Sequence, residues 1–230
     1  YIYWQCTKFH GQVNIRIIWN RNAKFLWLLL QVVSTYFNPF IHHSYLYFLF
    51  MRITKVTTKT GDSGETGLGN GQCVSKNHIR VHAMGSIDKL NSFIGWTRIH
   101  SNGILDDALE LIQQDLFNMG GEIAIPDVEM NLLNDSRLEW LDNQTNQYNE
   151  QLPPLDEFIL PGGSEFSSRL HISRTECREA ERHLIGLSEQ EFVPDLHKKY
   201  LNRLSDFLFV LARVEKSDQN IKEISWDYNK

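Results

Sequence analysis

Acidic residues are absent from the first fifty positions, although the 230-residue chain carries 28 Asp and Glu and a formal charge of −5. This leader is crowded with Tyr, Trp, Phe and Ile but shows no sustained helical or alternating period. We interpret residues 1–50 as a segment that is unstructured or not native, with Met51 as the natural start. A targeting segment is the alternative.

Other absences exclude several classes of protein. The balance of 23 Lys and Arg against 28 Asp and Glu provides no basic excess for nucleic acid. The apolar run at 25–33 is too short to cross a bilayer. The three cysteines form no CxxC pair and no metal spacing, so a disulfide framework is not expected. We therefore expect no nucleic acid and no membrane partner, and a cytoplasmic protein. The mitochondrial matrix is the alternative if residues 1–50 are a genuine presequence.

Helical periodicity dominates the rest of the chain, and alternating strand patterns are almost missing. Five helices are predicted: one starting at Gly85 and Ser86, then 105–119, 135–148, a central helix after Ser164, and 195–216. Gly120-Gly121 is expected to stop the second helix. Short loops between five helices indicate an all-α fold, an up-and-down bundle over residues 51–220 with a tail at 221–230.

The stretch from Phe158 to Arg182 reads FILPGGSEFSSRLHISRTECREAER. The Pro-Gly-Gly-Ser turn can end an extended segment, and Ser164 can cap the helix that follows. One face of that helix is formed by residues that step by three and four, most of them small: Leu170, Ser173, Cys177, Ala180 and Leu184. Beside this face, Arg174, Arg178 and Glu181 lie within about one-sixth of a turn of each other. This stripe is either an anion site or a solvated charged face with ordinary pairs.

A Gly- and Thr-rich segment, TKTGDSGET at 58–66, precedes the helices. Glycines allow several backbone N–H groups to point at one anion, and Lys59 and the threonine hydroxyls add donors. The segment lacks the GxxxxGK[ST] pattern of a Walker loop. It predicts a phosphate-binding loop, which Lys76 could reach after a second turn, and a flexible surface turn is the alternative.

Three motifs in order resemble the PduO-type ATP:cob(I)alamin adenosyltransferases. They are TKTGDSGET at 58–66, GSIDKLNSFIG at 85–95, and the 158–182 stretch together with YLNRLSDFLFVLAR at 200–213. The resemblance covers nearly all of residues 51–216. It implies a homotrimeric five-helix bundle with active sites between subunits. The substrates would be ATP and cobalamin, with Mg²⁺ as cofactor and no metal-ligating side chains. An electron-donating flavoprotein reductase and an adenosylcobalamin-dependent mutase or dehydratase would be its partners.

The same resemblance implies a role for particular residues. The ATP phosphates would be bound by Thr58, Lys59, Thr60, Gly61, Thr66, Gly67 and Lys76. The neighbouring subunit would complete the nucleotide site with Arg178, Glu181, Arg182 and Asn202. Asp88 and Arg174 would form an ion pair across the interface. Phe158 would cover the lower face of the corrin, and Asp206 would lie near the corrinoid.

Three positions depart from the family pattern: Ser63 stands where Lys is usual, Lys89 where Glu is common, and Glu179 where Arg is frequent. Glu179 lies in the nucleotide segment, so we expect it to weaken ATP binding. The resemblance favours an adenosyltransferase. A corrinoid carrier with impaired catalysis is the second hypothesis, and a purely structural bundle is the third.

Overall fold

The structure is a computed structural model that describes residues 7–9, 12–14, 59, 61–101 and 103–230. The chain forms two compact units, residues 1–67 with 71–74 and residues 68–70 with 75–230. Most of the leader lies outside the described residues, and so do the predicted phosphate ligands Thr58 and Thr60.

Four short strands among the described residues lie mainly in the first unit. β1 (Thr7–Phe9) pairs antiparallel with β2 (Gln12–Asn14), inside the leader that the sequence predicts to be unstructured or not native. β3 (Glu65–Gly67) pairs with β4 (Cys73–Ser75). Cys73 is disulfide-bonded, whereas the cysteine spacing led us to expect no disulfide framework.

Five helices make up the second unit: α1 (Ile79–Arg98), α2 (Gly103–Ala124), α3 (Asp135–Asn149), α4 (Glu165–Ser188) and α5 (Asp195–Asp218). α4 packs against both α1 and α5, while α2 packs against α1 and α3 against α5. The predicted five-helix bundle is therefore confirmed. No described helix has the length and apolar character needed to cross a membrane.

Apolar stripes along the helices form the bundle core. Leu90 and Ile94 of α1, Leu170 and Leu184 of α4, and Leu204 of α5 have no exposed surface. Their burial removes apolar side chains from water, at about 1.5–3 kcal/mol for each. The core thereby fixes the rotation of each helix about its own axis.

The start of the first helix differs from the prediction. α1 begins at Ile79 rather than near Ser86, because His78 caps it by accepting a hydrogen bond from Arg80 N at 3.3 Å. Ser86 is buried in the middle of the helix and donates to the carbonyl of Ala83 at 2.8 Å. Asp88 is consequently not in the first turn, and the helix dipole gives it no special stabilisation.

The end of the second helix also differs. α2 passes through Gly120-Gly121 and continues to Ala124. A glycine costs a helix about 1 kcal/mol relative to alanine. Met119 and Ile123, which flank the pair, are both fully buried, and their packing outweighs that cost. At α4 the prediction is confirmed, because Ser164 caps the helix by accepting from Ser167 N at 3.0 Å.

A buried polar cluster joins α2, α3 and α5. Arg137 of α3 donates to Asp115 Oδ2 at 2.9 Å and to Asp115 Oδ1 at 3.0 Å, and Tyr200 of α5 donates to the same carboxylate at 2.7 Å. Asp115 is 4% exposed. Burial, followed by the charge of Asp115, raises the pKa of the Tyr200 hydroxyl well above its usual value.

We expect Asp115→Asn to lower the free energy of unfolding by about 2 kcal/mol, because the Arg137 guanidinium loses its charged partner in a poorly hydrated position. Urea denaturation followed by circular dichroism would measure the change. Asp107→Asn, at an exposed position of the same helix, is the matched control and should shift stability by no more than about 0.5 kcal/mol. Equal effects of the two substitutions would contradict the role given to the cluster.

Candidate functional site

The described part of the phosphate-loop segment contains an unusual backbone conformation. Lys59 has a φ of 59°, in the left-handed region, which costs a non-glycine residue about 1–2 kcal/mol. Gly64 N donates to the Gly61 carbonyl at 3.2 Å and closes a turn. Thr66 is half-buried and Gly67 buried in β3, whereas Lys76, in the second unit, is exposed. Strain of this kind is often retained where a loop binds a ligand.

The orientation of α4 is set by its small-residue face. Ser173 forms a hydrogen bond with Thr97 of α1, with 2.9 Å between the two hydroxyl oxygens. Cys177 donates to the carbonyl of Leu201 of α5 at 3.1 Å, and burial raises the pKa of its thiol well above the usual value. Ala180 is fully buried beside them. With this face buried, the Arg174, Arg178 and Glu181 stripe lies at the edge of the bundle.

Arg174 is half-buried, and its Nε has no hydrogen-bond partner. Its guanidinium carbon lies 5.9 Å from the centre of the Phe209 ring. Burial lowers the pKa of Arg174, and the positive charge of Arg178 lowers it further. Within the part of the chain that the structure describes, neither Arg174 nor Asp88 forms an ion pair. The predicted pair of these two residues is thus not made within one subunit.

Two of the predicted nucleotide ligands meet between α4 and α5. Asn202 Nδ2 donates to Glu181 Oε1 at 3.1 Å, and Arg203 donates to Asn202 Oδ1 at 2.7 Å. Arg178 and Arg182 are exposed on the same side of α4 as Glu181. Asp206 is exposed one turn further along α5. The structure therefore brings the predicted residues of α4 and α5 to one face of the bundle.

Two of the three unusual residues contact each other. Lys89 Nζ of α1 lies 2.6 Å from Glu176 Oε2 and 3.1 Å from Glu179 Oε2 of α4. The hydrogen bonds to Glu176 and then to Glu179 raise the pKa of Lys89, and the hydrogen bond from Lys89 lowers the pKa of Glu179. This contact partly offsets the negative charge that we expected to disturb a nucleotide, because Lys89 is shared with Glu176 and water screens the exposed pair.

Phe158 is 78% exposed, yet its backbone is held in place by the C-terminal tail. Trp226 N donates to the Phe158 carbonyl at 2.6 Å, and Leu160 N donates to the Ile224 carbonyl at 2.8 Å. The Trp226 ring lies 6.5 Å from the Phe158 ring at 62°, and the Tyr228 ring lies 6.2 Å from Trp226. The result is a row of three exposed aromatic rings.

The sequence prediction missed the contribution of the tail to this row. We assigned no role to Trp226 or Tyr228, although two aromatic side chains two positions apart in ISWDYNK were a visible signal. Periodicity says nothing about which distant segment a short extended stretch will pair with.

His171 of α4 is 4% exposed, and neither of its ring nitrogens has a hydrogen-bond partner. Its ring centre is 6.1 Å from that of Phe209. Burial lowers the pKa of His171 to about 4, the positive charges of Arg174 and Lys216 act in the same direction, and Glu223 opposes them. His171 is thus a neutral imidazole near neutral pH.

With this geometry in place, comparison with known proteins assigns the chain to a family. Residues 56–215 match the family described as cobalamin adenosyltransferase. The chain belongs to that family, which is a family of enzymes.

Particular relatives refine the assignment. The cobalamin adenosyltransferase of Cupriavidus metallidurans is 46% identical over 178 residues, which cover 76% of this chain and 95% of the relative. The corrinoid adenosyltransferase of Bacillus subtilis is 39% identical, with 75% and 92% covered. A variant of the PduO-type ATP:corrinoid adenosyltransferase from Lactobacillus reuteri, solved with cobalamin and ATP, superimposes with a TM-score of 0.73 at 34% identity, covering 76% of this chain and 97% of the other.

The depressed pKa of His171 predicts a specific loss of stability in acid. Between pH 6.5 and about 4 the unfolded state binds a proton at this imidazole while the folded state does not. Stability from this group is therefore complete above pH 6.5 and falls as the pH drops towards 4, by an amount on the order of 3 kcal/mol.

We expect His171→Leu to flatten the acid limb of the stability profile, as measured by urea denaturation at pH 4.5, 5.5 and 7. His100→Gln, at an exposed position, should leave the profile unchanged. If the profiles of the His171 variant and the wild type were parallel, the buried neutral imidazole would not be the cause.

Proposed function

We propose that this protein transfers the 5′-deoxyadenosyl group of ATP to the cobalt of cob(I)alamin, which gives adenosylcobalamin and tripolyphosphate. The single observation that carries this proposal is the position of the Arg174, Arg178 and Glu181 stripe. It lies beside the Glu181–Asn202 contact at the edge of a bundle whose family is described as cobalamin adenosyltransferase. The Lactobacillus reuteri relative was solved with both ATP and cobalamin.

The residue types suit this reaction. Co(I) is a strong nucleophile, and its electron pair forms the cobalt–carbon bond as the bond between the ribose 5′ carbon and its oxygen breaks. The triphosphate leaves with that bonding pair, so negative charge grows on the leaving oxygen. Preorganised cations such as Lys59 and Arg178 would stabilise this charge. Because no proton is removed from the nucleophile, the reaction needs no general base, only an in-line arrangement of cobalt and carbon.

Phe158 has a separate role in the proposal. An aromatic ring on the lower face of the corrin would keep the dimethylbenzimidazole ligand off cobalt and leave it four-coordinate, which eases the reduction to Co(I) by a flavoprotein reductase. The row of Phe158, Trp226 and Tyr228 supports this role, because exposed aromatic rings in a line suit the apolar side of a flat macrocycle. Asp206 would lie near the same corrinoid.

We also propose that the active site is completed in a homotrimer. Arg174 has a buried nitrogen without a partner, and Asp88 has no ion pair among the described residues. Leaving a half-buried guanidinium unpaired is unfavourable. An Asp88–Arg174 pair between subunits would satisfy both groups, and Thr58, Lys59, Thr60, Gly61, Thr66, Gly67 and Lys76 of one subunit would meet Arg178, Glu181, Arg182 and Asn202 of the next.

Magnesium would enter this site together with the nucleotide. The described residues contain no group of three His, Cys, Asp or Glu side chains able to hold a metal ion. Mg²⁺ commonly binds substrate phosphates and keeps several waters. A predominantly cationic site fits that mode, and no step above depends on a metal held by the protein.

The function is tested by product analysis. The purified protein is incubated with ATP, Mg²⁺ and chemically reduced cobalamin, and products are separated by chromatography. Adenosylcobalamin and tripolyphosphate are expected in equal amounts. ADP as the product, or tight corrinoid binding with no product, would overturn the proposal, and the second result would favour a carrier.

Arg178→Ala is expected to lower kcat/KM by about a hundredfold or more, because it removes a cation from the leaving group. Size-exclusion chromatography should show the same assembly as the wild type. Lys199→Ala removes an exposed cation elsewhere on α5 and serves as the control with near-normal turnover. Retention of near-normal activity by the Arg178 variant would refute the role given to this residue.

The contact of Lys89 with Glu179 predicts a change in nucleotide affinity. Lys89→Met would leave the Glu179 carboxylate uncompensated beside the ATP site, and we expect the KM for ATP to rise about two- to fivefold at low salt. The double variant Lys89→Met/Glu179→Gln should restore the KM. A double variant as impaired as the single one would show that Lys89 acts by another route.

A further inference from the structure

Two almost fully buried cations lie one turn apart near the end of α5. Arg213 is 4% exposed and Lys216 is 2% exposed. Arg213 donates to both oxygens of Glu223 at 2.9 and 3.2 Å and to the carbonyl of Pro153 at 2.9 Å. The Arg213 guanidinium thus binds the tail at Glu223 and, at Pro153, the segment that leads to Phe158.

Lys216 has a different environment. Its Nζ donates to the carbonyl of Leu160 at 3.4 Å. Across residues 61–101 and 103–230, no carboxylate lies within ion-pair distance of it. A buried ammonium without a carboxylate is costly and is seldom retained for stability alone.

Gly163 makes room for the Lys216 side chain. A Cβ at this position would lie 2.7 Å from Lys216 Cε and 3.1 Å from Cγ. Gly163 also has a φ of +116°, which L side chains rarely adopt. The aliphatic part of Lys216 therefore packs against Gly163 in the turn before α4. In this position its ammonium reaches the carbonyl of Leu160.

Both cations act on the same short ladder. The tail pairs with the Phe158 segment through Trp226 N to the Phe158 carbonyl, Leu160 N to the Ile224 carbonyl and the Ile159–Ser225 bridge. Arg213 secures the tail side of this ladder, and Lys216 secures the other side. Phe158 is 78% exposed, so burial in a core does not hold it.

We infer that Arg213 and Lys216 form a clamp that positions Phe158, and with it Trp226, for the corrinoid. This inference rests on the proposed function, because it gives a task to the ring that would cover the lower face of the corrin. Lys216 is a positioning residue: it acts on the reaction through the Leu160 carbonyl and touches neither substrate. Burial of the Lys216 ammonium is unfavourable. The lysine is retained because no apolar core stabilises the ladder in its place.

The experiment is Lys216→Met, which keeps the length and apolar stem of the side chain and removes the ammonium. We expect hydrogen–deuterium exchange to become about tenfold faster at the amides of Leu160 and Trp226, while α1 and α4 core amides stay unchanged. With cobalamin as the varied substrate, we expect kcat/KM to fall about tenfold. The KM for ATP should remain at the wild-type value, which a general loss of structure would not allow.

Two further variants complete the design. Lys222→Met removes an exposed lysine of the tail and should match the wild type in exchange and in both KM values. Glu223→Gln weakens the Arg213 side of the clamp and should repeat the Lys216→Met pattern in milder form. If Lys216→Met does not fold, Glu223→Gln alone decides the matter.

The clamp is overturned if exchange at Leu160 and Trp226 is unchanged in the folded variants. It is also overturned if the kinetic loss falls equally on ATP and cobalamin. A wild-type protein that makes no adenosylcobalamin would refute the proposed function instead, and the exchange measurement would still decide whether the clamp exists.

Discussion

The close contact of α4 with α1 and α5 determines where the rest of the candidate site lies. Small side chains at Ser173, Cys177 and Ala180 allow the neighbouring backbones to approach, and two of them form hydrogen bonds to those neighbours. A helix buried on this stripe has one possible rotation. The residues about a third of a turn away are then at the bundle edge, where Arg174 and Glu181 are half-buried and Arg178 is exposed. Larger residues on the stripe would separate the helices and move that edge.

Periodicity was sufficient to predict the helices because burial of an apolar stripe decides their existence. It was less able to place their ends. α1 starts at Ile79 because Ile79 and Ala83 extend its apolar stripe towards the N-terminus. This start was not predicted, because its cap is His78 and histidine is not among the usual capping residues. α2 continues beyond its two glycines because Ile123 still reaches the core. Ser164, a typical cap after a glycine turn, was predicted correctly.

The candidate site was predicted only as far as faces of single helices. Such reasoning places Arg174, Arg178 and Glu181 on one stripe, yet it cannot identify the partners of that stripe in other segments. Lys89 and Glu179 each looked like a disturbance of the site, and their contact is visible only once α1 lies beside α4. Trp226 reaches Phe158 across a separation of 68 positions, which no local pattern records.

The charges around Phe209 and His171 are mostly positive. Arg174, Lys216 and Arg213 bring three cations to the region, and Glu223 is bound to Arg213 alone. Burial and the neighbouring cations lower the pKa of His171, so its imidazole stays neutral and adds no further positive charge. The unpartnered nitrogen of Arg174 keeps its ability to bind an acid. If Asp88 paired with the Arg174 guanidinium of its own subunit, the pair would stabilise the monomer. The same pair could then add nothing to the free energy of assembly. The separation of the two groups therefore supports an interface between subunits as the place where they meet.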